Sequence, residues 1–246
     1  METKTTDYTY DNVIQVEDSA ASRKFIANVF LWMFVALGIS AILSYVFAFN
    51  PELSSLLRDN ETGSDNIMGT VVMFAPLILV FVIGARFQKA SFGGLLLLFI
   101  AFSAIMGISL SYIFFRYSLG TISTTFITAA IVFGSMAVGG YITHQDLTKF
   151  GSIMIMLLWG IIIATVINIL ILHSSSLDLI ISYVGVAVFV GLTAYDVQKL
   201  KQLGATVDAN DREGRKLSIM GALTLYLDFV NLFLFLLRIF GGGNRR

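Results

Sequence analysis

The sequence predicts an all-α integral membrane protein, a single bundle of seven transmembrane helices. Hydrophobic residues make up 57% of the chain and charged residues only 13%, where a soluble domain carries about a quarter charged. The apolar residues gather into charge-poor runs long enough to cross a bilayer, since roughly 20 helical residues span the hydrocarbon layer. The runs are continuous, whereas the strands of a membrane barrel alternate in pieces of about ten residues.

Seven runs qualify: Phe25 to Phe49, Ile67 to Ala85, Phe92 to Phe115, Thr121 to Ile142, Phe150 to Leu172, Leu177 to Tyr195, and Leu217 to Phe240. The connections are short, so residues 23–246 form a single domain with no soluble insertion. Residues 1–22 are polar, with Asp7, Asp11, Glu17 and Asp18. They lack the basic start and short apolar core of a secretory signal and are expected to be a flexible tail. Pro51 ends the first span, and Asn50 to Asn66 forms a polar, acidic loop. Pro76 lies inside the second span, where proline is expected to kink a helix and free a carbonyl. Small-residue pairs, Ser103 with Gly107 and Ser135 with Gly139, are expected to let helices approach closely.

Orientation follows from the basic residues near span ends. A cytoplasmic N-terminus puts Arg23, Lys24, Arg86, Lys89, Lys149, Lys199, Lys201, Arg212, Arg215 and Lys216 inside, and leaves Arg58 and Arg116 in the outer loops. Seven crossings place Arg245 and Arg246 outside, against the rule, unless the last segment fails to cross fully.

Composition excludes several functions. Sixteen Lys+Arg balance sixteen Asp+Glu, so no global basic field suggests nucleic-acid binding. With no cysteine there is no disulfide, thiolate nucleophile or cysteine-based zinc site. The two histidines, His144 and His173, lie far apart at span ends, which argues against a bis-histidine metal or haem site and an intramembrane serine protease. The seventh span has no lysine for a retinal Schiff base. No phosphate-binding glycine loop or dinucleotide fingerprint appears, and the chain is not expected to be an enzyme or to hold a cofactor.

The intramembrane polar residues then carry the functional signal. An ionised carboxylate at mid-membrane costs about 2.5–3.5 kcal/mol on insertion scales, which makes it a functional candidate. Asp228 lies about 16 Å into the seventh span at helical rise. Thr224, Asp228 and Asn231 follow i, i+4, i+7 spacing and share one helix face, a polar stripe expected to point into the bundle. Asp178 stands at the rim of the sixth span, Asp196 closes that span and Arg86 ends the second. Taken alone, Asp196 reads as a solvated or lysine-paired acid, and Arg86 as a snorkelling anchor. Thr165 and Asn168 are expected to make interhelical hydrogen bonds, and His144-Gln145-Asp146 reads as a wet loop.

At these residues a resemblance appears. Gly191-Leu-Thr-Ala-Tyr-Asp196-Val-Gln-Lys-Leu-Lys201 and Ala222-Leu-Thr-Leu-Tyr-Leu-Asp228-Phe-Val-Asn-Leu-Phe-Leu-Phe-Leu-Leu-Arg238 resemble the Bax inhibitor-1 (transmembrane Bax inhibitor motif) family. The seven-span layout extends the likeness over the chain after residue 22, and the first motif is closer to the bacterial form. The resemblance implies six helices around a central seventh, in a bacterial plasma (inner) membrane protein. It also implies a cation leak, chiefly for calcium, controlled by pH through two aspartates, which fall on Asp196 and Asp228. The family's second-span arginine, which latches the sixth-span aspartate in the closed state, matches Arg86 in Gly84-Ala-Arg-Phe-Gln-Lys89. Some members carry a carboxylate in the second span; Ile67 to Ala85 has none.

Elementary chemistry agrees with such a site. Calcium prefers hard oxygen ligands, and two carboxylates supply both ligands and compensating charge, so Asp196 and Asp228 are the candidate transient calcium ligands. Carboxylates close together in low dielectric cannot easily both ionise and titrate as a unit. Thr224 and Asn231 are candidate pore-lining groups, and Arg86 the candidate gating latch. The expected partners are therefore the lipid bilayer, calcium and protons. Two other readings stay open: a proton-coupled cation exchanger using the same acids, and a non-transporting regulator of a protease or other membrane-protein partner.

Overall fold

A computed structural model of the chain describes residues 7–59, 64 and 66–242, with side chains from residue 20 onward. The described residues form helices and no strand, in the order α1 (Asp7–Phe49), α2 (Pro51–Ser55), α3 (Ile67–Arg86), α4 (Phe92–Leu110), α5 (Tyr112–Arg116), α6 (Leu119–Ile142), α7 (Thr148–Ile167), α8 (Ser175–Gly204) and α9 (Arg212–Gly241). Seven are long and apolar enough to cross a membrane. Helix α1 begins at Asp7, inside the polar segment ahead of the first span, and no proline or glycine interrupts it before Gly38. Arg245 and Arg246 lie outside the described residues.

Local chemistry sets the boundaries. Asn50 accepts the Glu52 N–H at 2.9 Å, and Pro51 follows at the first helical position, where its missing N–H costs nothing. Asn66, Ser91, Ser118 and Ser174 cap α3, α4, α6 and α8 in the same way. Helix α3 runs unbroken through the buried Pro76. Past α7 the helix widens into a π-helical turn, Asn168–Leu172, and His173 ends it in the left-handed region at φ 48°.

The seventh span is the core of the bundle. In its apolar window 67% of residues are buried, against 50% for α8 and 11% for α7, so α9 is enclosed while α7 faces lipid. Around α9 stand α1, α4, α6 and α8; α3 packs on α4, and α7 on α8. Aromatic edges fill the joints, with Phe229 against Phe126 and Phe133 at centroid separations of 5.3 and 5.5 Å.

Close approach is real at one of the two small-residue pairs. A side chain at Gly107 would run into the backbone of Ser40 on α1, and the Ser40 hydroxyl donates to the Ser103 carbonyl at 2.6 Å. The Ser135–Gly139 pair does not serve this purpose: Ser135 is exposed and bonds its own helix, and the space beside Gly139 is open. The neighbouring Gly140 makes the contact instead, against the Ala194 backbone of α8. Within an apolar run, residue type does not distinguish a lipid-facing small residue from a packed one.

Candidate functional site

The α8–α9 hairpin brings the two motif aspartates together. Asp196, half-buried on α8, and Asp228, 5% exposed on α9, lie carboxyl against carboxyl, close enough for each to act on the other. Oδ2 of Asp228 is buried and receives no hydrogen bond among the described residues. Lys199, one turn beyond Asp196, supplies opposing positive charge and sits over the Tyr195 ring at 5.9 Å.

Of the remaining stripe, Thr224 and Asn231 are half-buried and satisfy themselves on their own helix. The Thr224 hydroxyl donates to the Met220 carbonyl at 3.2 Å, and the Asn231 amide to the Leu227 carbonyl at 2.8 Å. Arg86 is not brought to the pair. It is the exposed last residue of α3, and the groups acting on Asp196 are Asp228 and Lys199.

The end of the bundle that carries most of the basic residues is tied by side chains that spacing alone does not single out. Gln198 on α8 accepts the Leu147 N–H at 2.9 Å and donates to the Gln145 carbonyl at 2.8 Å, fastening the α6–α7 loop. Lys201 donates to the Tyr141 carbonyl at 2.7 Å and lies 5.0 Å from the Tyr141 ring centroid. In the same loop the Asp146 carboxylate accepts from the Thr148 hydroxyl and N–H, which holds it below the ordinary aspartate range. At the opposite end the buried Asn168 amide donates to Asp178 on α8 at 2.7 Å, an interhelical bond of the expected kind. Among the described residues no group of three or more His, Cys, Asp or Glu is placed to hold a metal ion.

A helical membrane protein whose enclosed central span carries a carboxyl paired with that of its neighbour is thereby defined. The family described as "Inhibitor of apoptosis-promoting Bax1" matches residues 22–245, and the chain belongs to it. It is 44% identical to the inner membrane protein YbhL of Escherichia coli (strain K12), over 94% of this chain and 96% of that one. An uncharacterized protein of Borreliella burgdorferi is 40% identical over 89% of this chain and 91% of its own. The uncharacterized protein YrjE of Lactococcus lactis is 34% identical over 96% and 98%. The expectation of a bacterial-type member of this family is met.

Proposed function

We propose that the protein is a pH-sensitive calcium leak channel, with Asp196 and Asp228 as the ion site and proton sensor. The observation that carries this reading is the carboxyl-to-carboxyl contact between α8 and α9, with Asp228 enclosed in the bundle. A proton shared by the pair would hold the two helices together there. Loss of that proton leaves two negative charges in low dielectric, which repel each other and attract a divalent cation with hard-oxygen preference. Binding and gating thus respond to the same protons. The chain acts as a conduit and not as an enzyme.

In this reading Arg86 supplies the closed state. We read the arrangement with Asp196 facing Asp228 and Arg86 exposed as the unlatched one. Deprotonated Asp196 pairs with Arg86 in the closed state, and protonation weakens that pair. The basic end faces the cytoplasm by the positive-inside rule, and the membrane is the bacterial inner membrane. Calcium flux in proteoliposomes across a pH series tests the reading: a leak runs downhill without a counter-ion gradient. Flux that requires such a gradient would mean an exchanger, and none at all in purified vesicles a regulator.

A further inference from the structure

Two residues along an α-helix turn the side chain by about 200°, so positions i and i+2 project from opposite faces. Tyr226 therefore stands behind Asp228 on α9, and Gln198 behind Asp196 on α8. Both are buried, and each is hydrogen-bonded to an element outside the α8–α9 pair.

On α9 the bond has a fixed direction. The Ser40 hydroxyl of α1 spends its proton on the Ser103 carbonyl of α4, so the Tyr226 hydroxyl, 2.7 Å from Ser40 Oγ, is the donor in that contact. The Tyr226 ring is fully buried and meets Phe102 edge-on at 5.4 Å. Other polar side chains of α9, Ser218, Thr224 and Asn231, bond back to their own helix. They place no restraint on how α9 is turned about its axis; Tyr226 does. On α8, both ends of the Gln198 amide are used on the α6–α7 loop backbone.

We propose that Tyr226 and Gln198 are positioning residues that hold Asp228 and Asp196 turned toward each other, each acting from the far face of its helix. The proposal builds on the reading of that aspartate pair as the ion site. The need for such anchors is electrostatic. Two carboxyl groups in an apolar bundle gain by turning apart once both are ionised, and by turning toward water at any charge. Rotation of α9 is opposed by the α1–α4 contact through Tyr226, and rotation of α8 by the loop through Gln198.

The absence of native cysteine permits a direct test. Asp196→Cys with Asp228→Cys, in the full chain, reports how these positions face each other through the rate of bridging by a short bifunctional methanethiosulfonate. Adding Tyr226→Phe, Gln198→Leu or Ser40→Ala should slow bridging about fivefold, the worth of one hydrogen bond. Ser40→Thr keeps the hydroxyl and should leave the rate as it was. Monodisperse elution and unchanged helicity show that each variant is folded. Unchanged bridging in folded Tyr226→Phe and Gln198→Leu overturns the proposal. With both aspartates in place, the same variants should raise the half-saturating calcium concentration about fivefold at an unchanged maximal rate. If wild-type vesicles pass no calcium while bridging still slows, the anchors stand and the calcium reading alone fails.

Discussion

Asp196 and Asp228 meet although Asp196 lies near the end of α8, at Gly204, and Asp228 lies midway along α9 (Arg212–Gly241). The central helix therefore projects beyond α8 at the basic end by several residues. Its protruding first turns reach the α3–α4 turn, where Arg215 sits over the Phe92 ring at 4.0 Å and Lys216 over Phe87 at 4.9 Å. Cation–ring contacts of this kind tie the turn that follows Arg86 to the helix that carries Asp228.

That tie bears on the latch. Arg86→Ala removes the charge that would hold deprotonated Asp196 in the closed state. The variant should leak more calcium at high pH and lose much of its pH dependence, in protein that elutes as a single species. If Arg86→Ala and Arg86→Lys both keep the wild-type pH curve, Arg86 is an interface anchor and the latch is wrong.

The two small-residue pairs predict opposite costs. Gly107→Val forces a side chain into the Ser40 backbone and should destabilise the bundle by about 1–3 kcal/mol. Gly139→Val enters open space and should stay within about 0.5 kcal/mol of wild type. Thermal denaturation in detergent separates them. Equal loss at both positions would contradict the α1–α4 packing.

Topology is open to impermeant thiol labelling. Ser64→Cys should be modified from outside intact cells, and Asn210→Cys only after permeabilisation; both positions are exposed. The adjacent Ala209 is 3% exposed, so protection of a cysteine there would reflect burial and not sidedness. The reverse pattern would invert the orientation.

Much of this fold is legible in the sequence because continuous apolar runs have one stable solution in lipid. The runs are cut short where helices outlast the hydrocarbon layer. Helix α8 continues from Asp196 to Gly204, and α9 starts at Arg212, because polar residues stay helical once they emerge. Of the site, the Thr224–Asp228–Asn231 face follows from spacing, but the meeting of Asp228 with Asp196 followed only from family resemblance. Tyr226 and Gln198 were not legible as functional residues, since a buried tyrosine looks like core until its hydroxyl is seen to reach Ser40.

Asp146 carries a pH prediction outside the spans. Its carboxylate is held below the ordinary aspartate range, first by the Thr148 hydroxyl and then by the Thr148 N–H. The ionised form is thus favoured in the fold. Its contribution to the start of α7 is fully present above the unfolded value of about 4, and is lost as pH falls through the lower folded value. A carboxyl titration by NMR should find Asp146 depressed, and Thr148→Val should bring it part of the way back. An Asp146 midpoint that ignores Thr148→Val would exclude this cause.

The most direct test of the central claim is calcium flux in proteoliposomes carrying wild type or Asp228→Asn at equal incorporation, read across a pH series without a counter-ion gradient. The wild type should pass calcium downhill with a clear pH dependence. Asp228→Asn keeps the shape of the side chain but removes the charge inside the bundle, and should abolish or strongly reduce the flux while the protein remains folded. Undiminished, pH-dependent flux through folded Asp228→Asn would remove Asp228 from the ion path and contradict the account.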